Sequence, residues 1–276
     1  VTQLPEAEVL RKELEKEVVG KRVKDVEVGA TRLVQRHRNR PEFVRALTGR
    51  KIASVVRRGV RIVCELDEGQ ALVVGLGPTG WITRETANAD PAGHVRARIW
   101  FTTGGALHVA DPDDAAELFV VETASLDGIG ELTPTGVDPL ANTFTWHAFG
   151  SYLAARRREL ALLLRDETFV IGLGDRYSDE VLWAAGLDGA RTSNHLSSQE
   201  VRRLHRALFE VLYEAVKQGG SGGQEPEGDE LDEDEPPAAH IKVHGRAAQP
   251  CPRCRRPIHR DEVDGHPMYH CPSCQT

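Results

Sequence analysis

Ala7, Val9, Leu10, Leu14 and Val18 recur at about helical spacing behind Pro5, which suits a first turn, so the pattern predicts a helix over residues 5–19. From about 22 to 135 the period shortens. The alternating segments RVKDVEV, KIASVVRRGVRIVCEL, QALVVGL, VRARIWFTT and ALHVA are punctuated by Gly, Pro and Asp, with turns expected at DEGQ and TGGA. This stretch predicts a β-rich domain. Helical spacing returns from about 143, in WHAFGSYLAARRRELALLLRD, SDEVLWAAGL and SSQEVRRLHRALFEVLYEAVKQGG. Ser178 and Ser197 are the expected helix starts, Ser197-x-x-Glu200 forms a capping box, and Gly219–Gly220 ends the last helix. The following QGGSGGQEPEGDELDEDEPPAA is polar, acidic and rich in Gly and Pro, and reads as a flexible loop. The expected division is therefore residues 1–135, a helix plus β domain; 136–220, a helical domain; 221–239, an acidic loop; and 240–276, a short tail.

Charge changes this picture in two places. Residues 225–235 hold eight acids and no base; without them the chain has 34 acids (42 less 8) against 35 Lys and Arg. Residues 20–61 hold thirteen Lys and Arg, among them Arg36, Arg38, Arg57, Arg58 and Arg61, and only Asp25, Glu27 and Glu42 as acids. A phosphate-bearing partner fits such a field, with salt-dependent affinity, and so does a solvated basic surface with no partner. Arg156, Arg157 and Arg158 lie in a helical stretch whose bases and acids balance, and read as solvated helix charges. The N-terminal segment is acidic early and lacks an apolar core, so no signal peptide is expected, and no stretch approaches the ~18 apolar residues of a membrane helix. A cytoplasmic chain without membrane contact, monomeric by default, is the expectation.

Five cysteines are present, four of them in the tail. Cys64, inside RIVCEL, reads as a small buried hydrophobe. Cys251 and Cys254 form one Cys-x2-Cys, and after sixteen residues Cys271 and Cys274 form another. Each pair puts two thiolates on a tight turn, and two such turns close a tetrahedral site, for which Zn2+ fits best. Four protein ligands leave no open position, so one structural zinc is expected, with His259, His266 and His270 as non-ligands. A tail this short cannot bury an independent core, and a metal supplies what packing cannot. Upstream, GLGDRYSDEVL (172–182) is a Gly-rich turn entering a helix, able to offer N–H groups to a phosphate or to serve packing alone.

Taken in order, LPEAE (4–8), GVDPL (136–140), GLGDRYSDEVLWAAGL (172–187), VHGR (243–246) and CPRC…CPSCQ resemble the formamidopyrimidine-DNA glycosylase/endonuclease VIII family over nearly the whole chain. The resemblance implies an α+β multi-domain fold: an N-terminal β-sandwich, a helical domain with a helix–two-turns–helix motif, and a C-terminal zinc-finger β-hairpin. It implies duplex or damaged DNA as partner and base-excision chemistry through an N-terminal amine, which attacks sugar C1′ of a flipped-out nucleotide while a neighbouring glutamate moves protons. Candidate DNA contacts are Arg36, Arg38, Arg57, Arg58, Gly174, Tyr177, Lys242 and Arg246.

The chemistry departs from that pattern. The family's Pro-Glu-Leu-Pro-Glu matches Thr2-Gln3-Leu4-Pro5-Glu6, so Thr2 is the candidate amine if Val1 is removed. Glu6 is retained, as a catalytic candidate or as a helix-dipole partner. Gln3 takes the place of the glutamate, and an amide transfers no proton near neutral pH, where such groups contribute ~10²–10⁴-fold. Val60 stands for a phosphate-contacting lysine, with Arg61 one residue on and expected on the opposite strand face; Gly75 stands for a histidine and Pro78 for a methionine. Asp113-Asp114-Ala115 replaces Arg-Arg-Phe, Asp175 replaces an asparagine, and an arginine of the finger falls near His266. The acids are expected to oppose phosphate approach. Three functions follow as candidates: a repair-family protein binding damaged DNA with altered or lost excision, a non-catalytic binder of damaged or structured DNA, and a zinc-containing protein-interaction module.

Overall fold

The computed structural model describes residues 3–85, 94–133, 135–141, 144–220 and 239–276. The described residues form two compact units, one within 3–133 and one within 135–220 and 239–276. Thr2, and all of the acidic loop but Ala239, lie outside the described residues.

The first unit opens with helix α1 (Leu4–Val18), whose Leu4, Ala7, Leu14 and Val18 are buried at the expected spacing. Strand β1 (Val23–Val28) follows, and then α2 (Arg40–Leu47), a helix the sequence pattern did not suggest. Its signal is local: Asn39 caps it by accepting the Glu42 N–H at 2.9 Å, and Pro41 sits in its first turn. Strands β2 (Ile52–Arg58), β3 (Arg61–Leu66), β4 (Gln70–Gly75), β5 (Trp81–Glu85), β6 (Val95–Phe101), β7 (Ala106–Ala110) and β8 (Glu117–Glu122) complete two antiparallel four-stranded sheets, ordered β1-β6-β7-β5 and β2-β3-β4-β8. The main core is drawn from both: Val26, Ile99 and Val109 of the first, Ile62, Cys64, Val74 and Leu118 of the second. The other face of the second sheet carries Val63, Val73 and Phe119, covered by Leu126 and Leu132. Burial on both faces explains why RIVCEL reads as a nearly continuous apolar run, and burial pushes the Cys64 thiol up to about 12, which leaves it inert.

The second unit contains α3 (Trp146–Ala154), α4 (Leu160–Arg165), α5 (Gly174–Ala185), α6 (Ser198–Lys217) and a hairpin of β9 (His259–Val263) and β10 (His266–His270). The expected capping box is present: Glu200 N–H donates to Ser197 Oγ, and Ser197 N–H donates to the Glu200 carboxylate. Two expectations are corrected. WHAFGSYLAARRRELALLLRD breaks into α3 and α4, because the Leu160 N–H donates to Arg191 O (2.9 Å) and the Arg158 N–H to Ser193 Oγ (3.4 Å) instead of continuing the helix. Ser178 does not start a helix. It lies inside α5, fully buried, with its hydroxyl donating to Gly174 O at 2.6 Å. The α5 helix ends on Gly186 in the left-handed region (φ +67), as glycine at that position favours. No described helix is long and apolar enough to cross a membrane.

Candidate functional site

The two Cys-x2-Cys turns bring four sulfurs together. All four Sγ atoms lie within 4.8 Å of one another, with Cys251–Cys274 at 3.9 Å and Cys254–Cys271 at 3.4 Å. A tetrahedral metal with bonds of about 2.3 Å needs sulfur separations of about 3.8 Å, so the donor set and its spacing fit a metal such as zinc. Burial opposes charge on Cys251, but N–H groups of Cys254 and Arg253 and the Trp183 indole outweigh it and bring the thiol to about 6. Burial and the neighbouring thiols push Cys274 up to about 12. Four thiolates thus repel one another unless a cation sits among them.

The cluster is fastened to α5. The indole N–H of Trp183 donates to Cys251 Sγ at 3.4 Å. Arg253 stacks on that indole at 4.0 Å and donates to Trp183 O and Ala184 O, capping the last carbonyls of the helix with a cation. Halfway along α5, the buried Glu180 carboxylate accepts three consecutive backbone N–H groups, from Lys242 (2.9 Å), Val243 (2.7 Å) and His244 (2.9 Å). Asp179 hydrogen-bonds His244 Nδ1 (2.8 Å) and accepts the Tyr269 N–H (3.1 Å). Burial raises both carboxyls above their ordinary range against these bonds. Near the start of α5, Asp175 pairs with Arg165 at 3.0 Å and hydrogen-bonds His266 Nδ1 at 3.1 Å, while Arg165 also donates to Pro267 O (2.9 Å). One helix therefore holds the loop 242–244, the hairpin and the cysteine cluster.

The sequence candidates of this unit fall around that clasp. Gly174, with φ +62, opens α5. Tyr177 is wholly buried and its ring stacks parallel to His240, so its side chain supports the turn from inside. Lys242 reaches Ala239 O at 2.6 Å, and Arg246 holds Gln249 (2.9 Å) and Lys242 O (3.2 Å).

In the first unit, Gln3 is the extended N-cap of α1; its carbonyl accepts the Ala7 N–H, and Glu6 lies in the first turn. Arg57 is only 7% exposed and pairs with Glu8 at 3.1 Å. Against the cost of burial, hydrogen bonds from Arg11 and Arg57 hold the Glu8 carboxyl below its ordinary range. Arg36 grips Glu117 with two 2.9 Å bonds, reaches Glu131, and lies over the Phe119 ring at 4.1 Å. Arg58 pairs with Asp127. Arg38 is exposed, and its backbone N–H donates to Glu42. Much of the basic surplus of 20–61 is thus consumed within the fold. The acids have partners as well: Asp114 pairs with Arg96 (2.8 Å), Asp175 with Arg165, and Asp113 accepts the Thr79 hydroxyl, while Asp114 and Asp175 stay part-exposed. The Glu180 clasp, the Arg253 cap and Arg165 were not legible as site residues, because each joins positions far apart in the chain.

Two family models match, the formamidopyrimidine-DNA glycosylase N-terminal domain over residues 2–117 and the formamidopyrimidine-DNA glycosylase H2TH domain over 135–226. The formamidopyrimidine-DNA glycosylase of Pelotomaculum thermopropionicum is 32% identical over 281 residues, covering 99% of this chain and 98% of the relative. That of Thermus thermophilus is 35% identical over 280 residues, covering 99% and 98%. Among solved structures, the Lactococcus lactis formamidopyrimidine-DNA glycosylase bound non-covalently to DNA containing an abasic site superposes with a TM-score of 0.84 at 28% identity, covering 99% of each chain. The same enzyme with DNA containing a formamidopyrimidine lesion gives 0.85 at 27%, covering 99% of this chain and 100% of that one. This chain belongs to the formamidopyrimidine-DNA glycosylase family.

Proposed function

We propose that this chain binds duplex DNA at damaged or abasic positions, and that it excises lesions by the family's route weakly or not at all. One observation carries the proposal. The frame is complete, from the two-sheet unit to the α5 clasp and the four-cysteine cluster, while the group beside the candidate amine is the amide of Gln3. The L. lactis enzyme, which superposes on 99% of this chain, is seen bound to DNA containing an abasic site and to DNA containing a formamidopyrimidine lesion. An amide neither gives nor takes a proton near neutral pH, which removes a contribution of about 10²–10⁴ to any step that needs one. Glu6 serves the α1 dipole in the same reading. Arg38, Gly174, Lys242 and Arg246 are the DNA contacts proposed to act directly, with Arg36, Arg57 and Arg58 shaping the surface through their ion pairs. The metal held by Cys251, Cys254, Cys271 and Cys274 is proposed to be one structural Zn2+, which fixes the hairpin and takes no part in chemistry.

The test is borohydride trapping on abasic DNA with native, untagged protein, read by intact mass with N-terminal mapping. A primary amine at Thr2, or at Val1, adds to the C1′ aldehyde and expels water, and borohydride reduces the resulting imine to a stable secondary amine. Salt-sensitive DNA binding with little or no adduct, and one zinc per native chain, is the expected result. Rapid trapping together with efficient excision of oxidised guanine refutes the loss of standard catalysis. Absence of both adduct and salt-sensitive binding points instead to the interaction module.

A further inference from the structure

The β3 and β4 strands pair so that Ile62 faces Val74, and continuing that register sets Arg61 opposite Gly75, which pairs on its other side with Glu117 of β8. A Cβ at Gly75 would stand 2.1 Å from Arg61 Nη1 and 3.2 Å from its Cζ. The guanidinium therefore occupies the space that any side chain at position 75 would take. Directly opposed residues in adjacent strands place their side chains within contact, so a glycine there gives a long neighbour room to lie across the sheet. Val60 lies in the β2–β3 turn and Arg61 opens β3, and the arginine extends over its cross-strand neighbour.

The electrostatics of this arginine set it apart. Arg50, Arg57, Arg58 and Arg61 are the part-buried arginines of the described residues 20–61. Arg50 pairs with Glu68, Arg57 with Glu8 and Arg58 with Asp127. Arg61 is 25% exposed, and among the described residues its guanidinium donates no hydrogen bond; its nearest carboxylate oxygen, on Glu117, is 3.9 Å away. Glu117 already accepts two bonds from Arg36 and one from Gln35 (3.3 Å), and Glu131 accepts one from Arg36, so Arg61 stands near carboxylates without a hydrogen bond to them. A guanidinium offers five N–H donors in a planar fork, and an arginine that spends none of them within the protein can turn them to a ligand. The ligand that matches a fixed, planar, always-charged fork is a doubly oxygenated anion, and a phosphodiester is one that engages it in two parallel bonds.

We infer that Arg61, seated across Gly75, is a phosphodiester contact of the N-terminal unit. This deepens the proposed DNA-binding function and rests on it. The Gly75 seat is part of the device, because it lets the guanidinium lie flat instead of wandering in solvent, which lowers the entropy lost when a phosphate is gripped.

The test uses the full purified chain and a duplex carrying a tetrahydrofuran abasic analogue, with affinity read by fluorescence anisotropy at several salt concentrations. Arg61→Gln is expected to weaken binding about 10-fold and to flatten the log–log salt slope by about 0.9, the loss of one phosphate contact. Gly75→Ala keeps the arginine but displaces its guanidinium, and is expected to lose most of the same affinity. The double variant is expected to bind no more weakly than Arg61→Gln, which a purely structural role for either residue does not produce. Unchanged affinity and slope in an Arg61→Gln protein that melts like the parent, or losses that multiply in the double variant, overturn the assignment while leaving DNA binding intact. If Arg61→Gln does not fold, an unchanged slope in Gly75→Ala overturns it. An unsubstituted chain without salt-dependent DNA binding overturns both readings together.

Discussion

Asp175 is the residue at which stability and DNA affinity are expected to move in opposite directions. Its carboxylate sits in the first turn of α5, 31% exposed, with one oxygen on Arg165 at 3.0 Å and the other on His266 at 3.1 Å. Asp175→Asn keeps the shape and removes the charge. Arg165, only 10% exposed, then keeps Pro267 O and the more distant Asp179 oxygen at 3.5 Å. The Arg165 contact is an ion pair and not a hydrogen bond, and such pairs are worth about 0–1 kcal/mol at the surface and more when one partner is buried, so the substitution is expected to cost about 1–2 kcal/mol. For a chain of this size that lowers Tm by about 2–8 °C. A phosphate approaching the start of the helix, about 6 Å from the lost charge, escapes a repulsion of about 0.7 kcal/mol at water's dielectric and about 3 kcal/mol at an effective constant near 20. Those limits correspond to binding tighter by about 3- to 100-fold, and salt screening favours the lower end. Differential scanning fluorimetry gives the first quantity, and anisotropy titration of an abasic-analogue duplex at about 0.1 M salt the second. Weaker or unchanged binding by a folded Asp175→Asn protein refutes the reasoning, because it shows that the carboxylate does not face DNA.

Two further outcomes test the clasp and the cap. In Glu180→Gln the side-chain amide must turn its NH2 toward at least one of the three N–H groups of residues 242–244, at an expected cost of about 1–3 kcal/mol, partly offset by sparing a buried charge. Hydrogen exchange should quicken at those three amides, and unchanged protection there counts against the clasp. Glu200 is held down to about 2 by Arg191 and by the Ser197 N–H and hydroxyl. A depressed carboxyl contributes stability that is complete above its unfolded value of about 4.3 and is lost as pH falls toward 2. Glu200→Gln should therefore cost about 1–2 kcal/mol at pH 7, and the gap from the parent should close between pH 4.5 and 2; a gap that ignores pH rules out the ion pair as its source.

What the sequence disclosed was written in short range. Helical and alternating periods placed α1, most strands and α6, Ser197-x-x-Glu200 marked a helix start, and two Cys-x2-Cys turns announced a cluster whose sulfurs do converge. Ser178 misled because a buried serine bonding back along its own helix carries the same letters as an N-cap. The break between α3 and α4 was hidden because residues 191 and 193 supply the partners that end the helical run. The clasp was hidden for the same reason: Glu180 and the amides it binds are more than sixty residues apart.

The charge pattern shows why residue counts mislead about function. A local surplus of ten cations looks like a surface for polyanions, yet Arg22, Arg36, Arg50, Arg57 and Arg58 each meet a carboxylate supplied by the same unit, from Asp67, Glu117, Glu68, Glu8 and Asp127. Acids of the same chain are paired too, Asp114 with Arg96 and Asp175 with Arg165, though both stay part-exposed. The field a phosphate meets is set by what remains after these pairs are removed. In the first unit that remainder includes the exposed Arg38 and Arg61, whose contact with the shared Glu117 is a loose 3.9 Å, and at the start of α5 it is set by a carboxylate held between an arginine and a histidine. Binding at such a surface depends on a few placed groups, so single substitutions at Arg61 and Asp175 should shift DNA affinity more than reversal of several paired arginines, whose loss is felt first as stability.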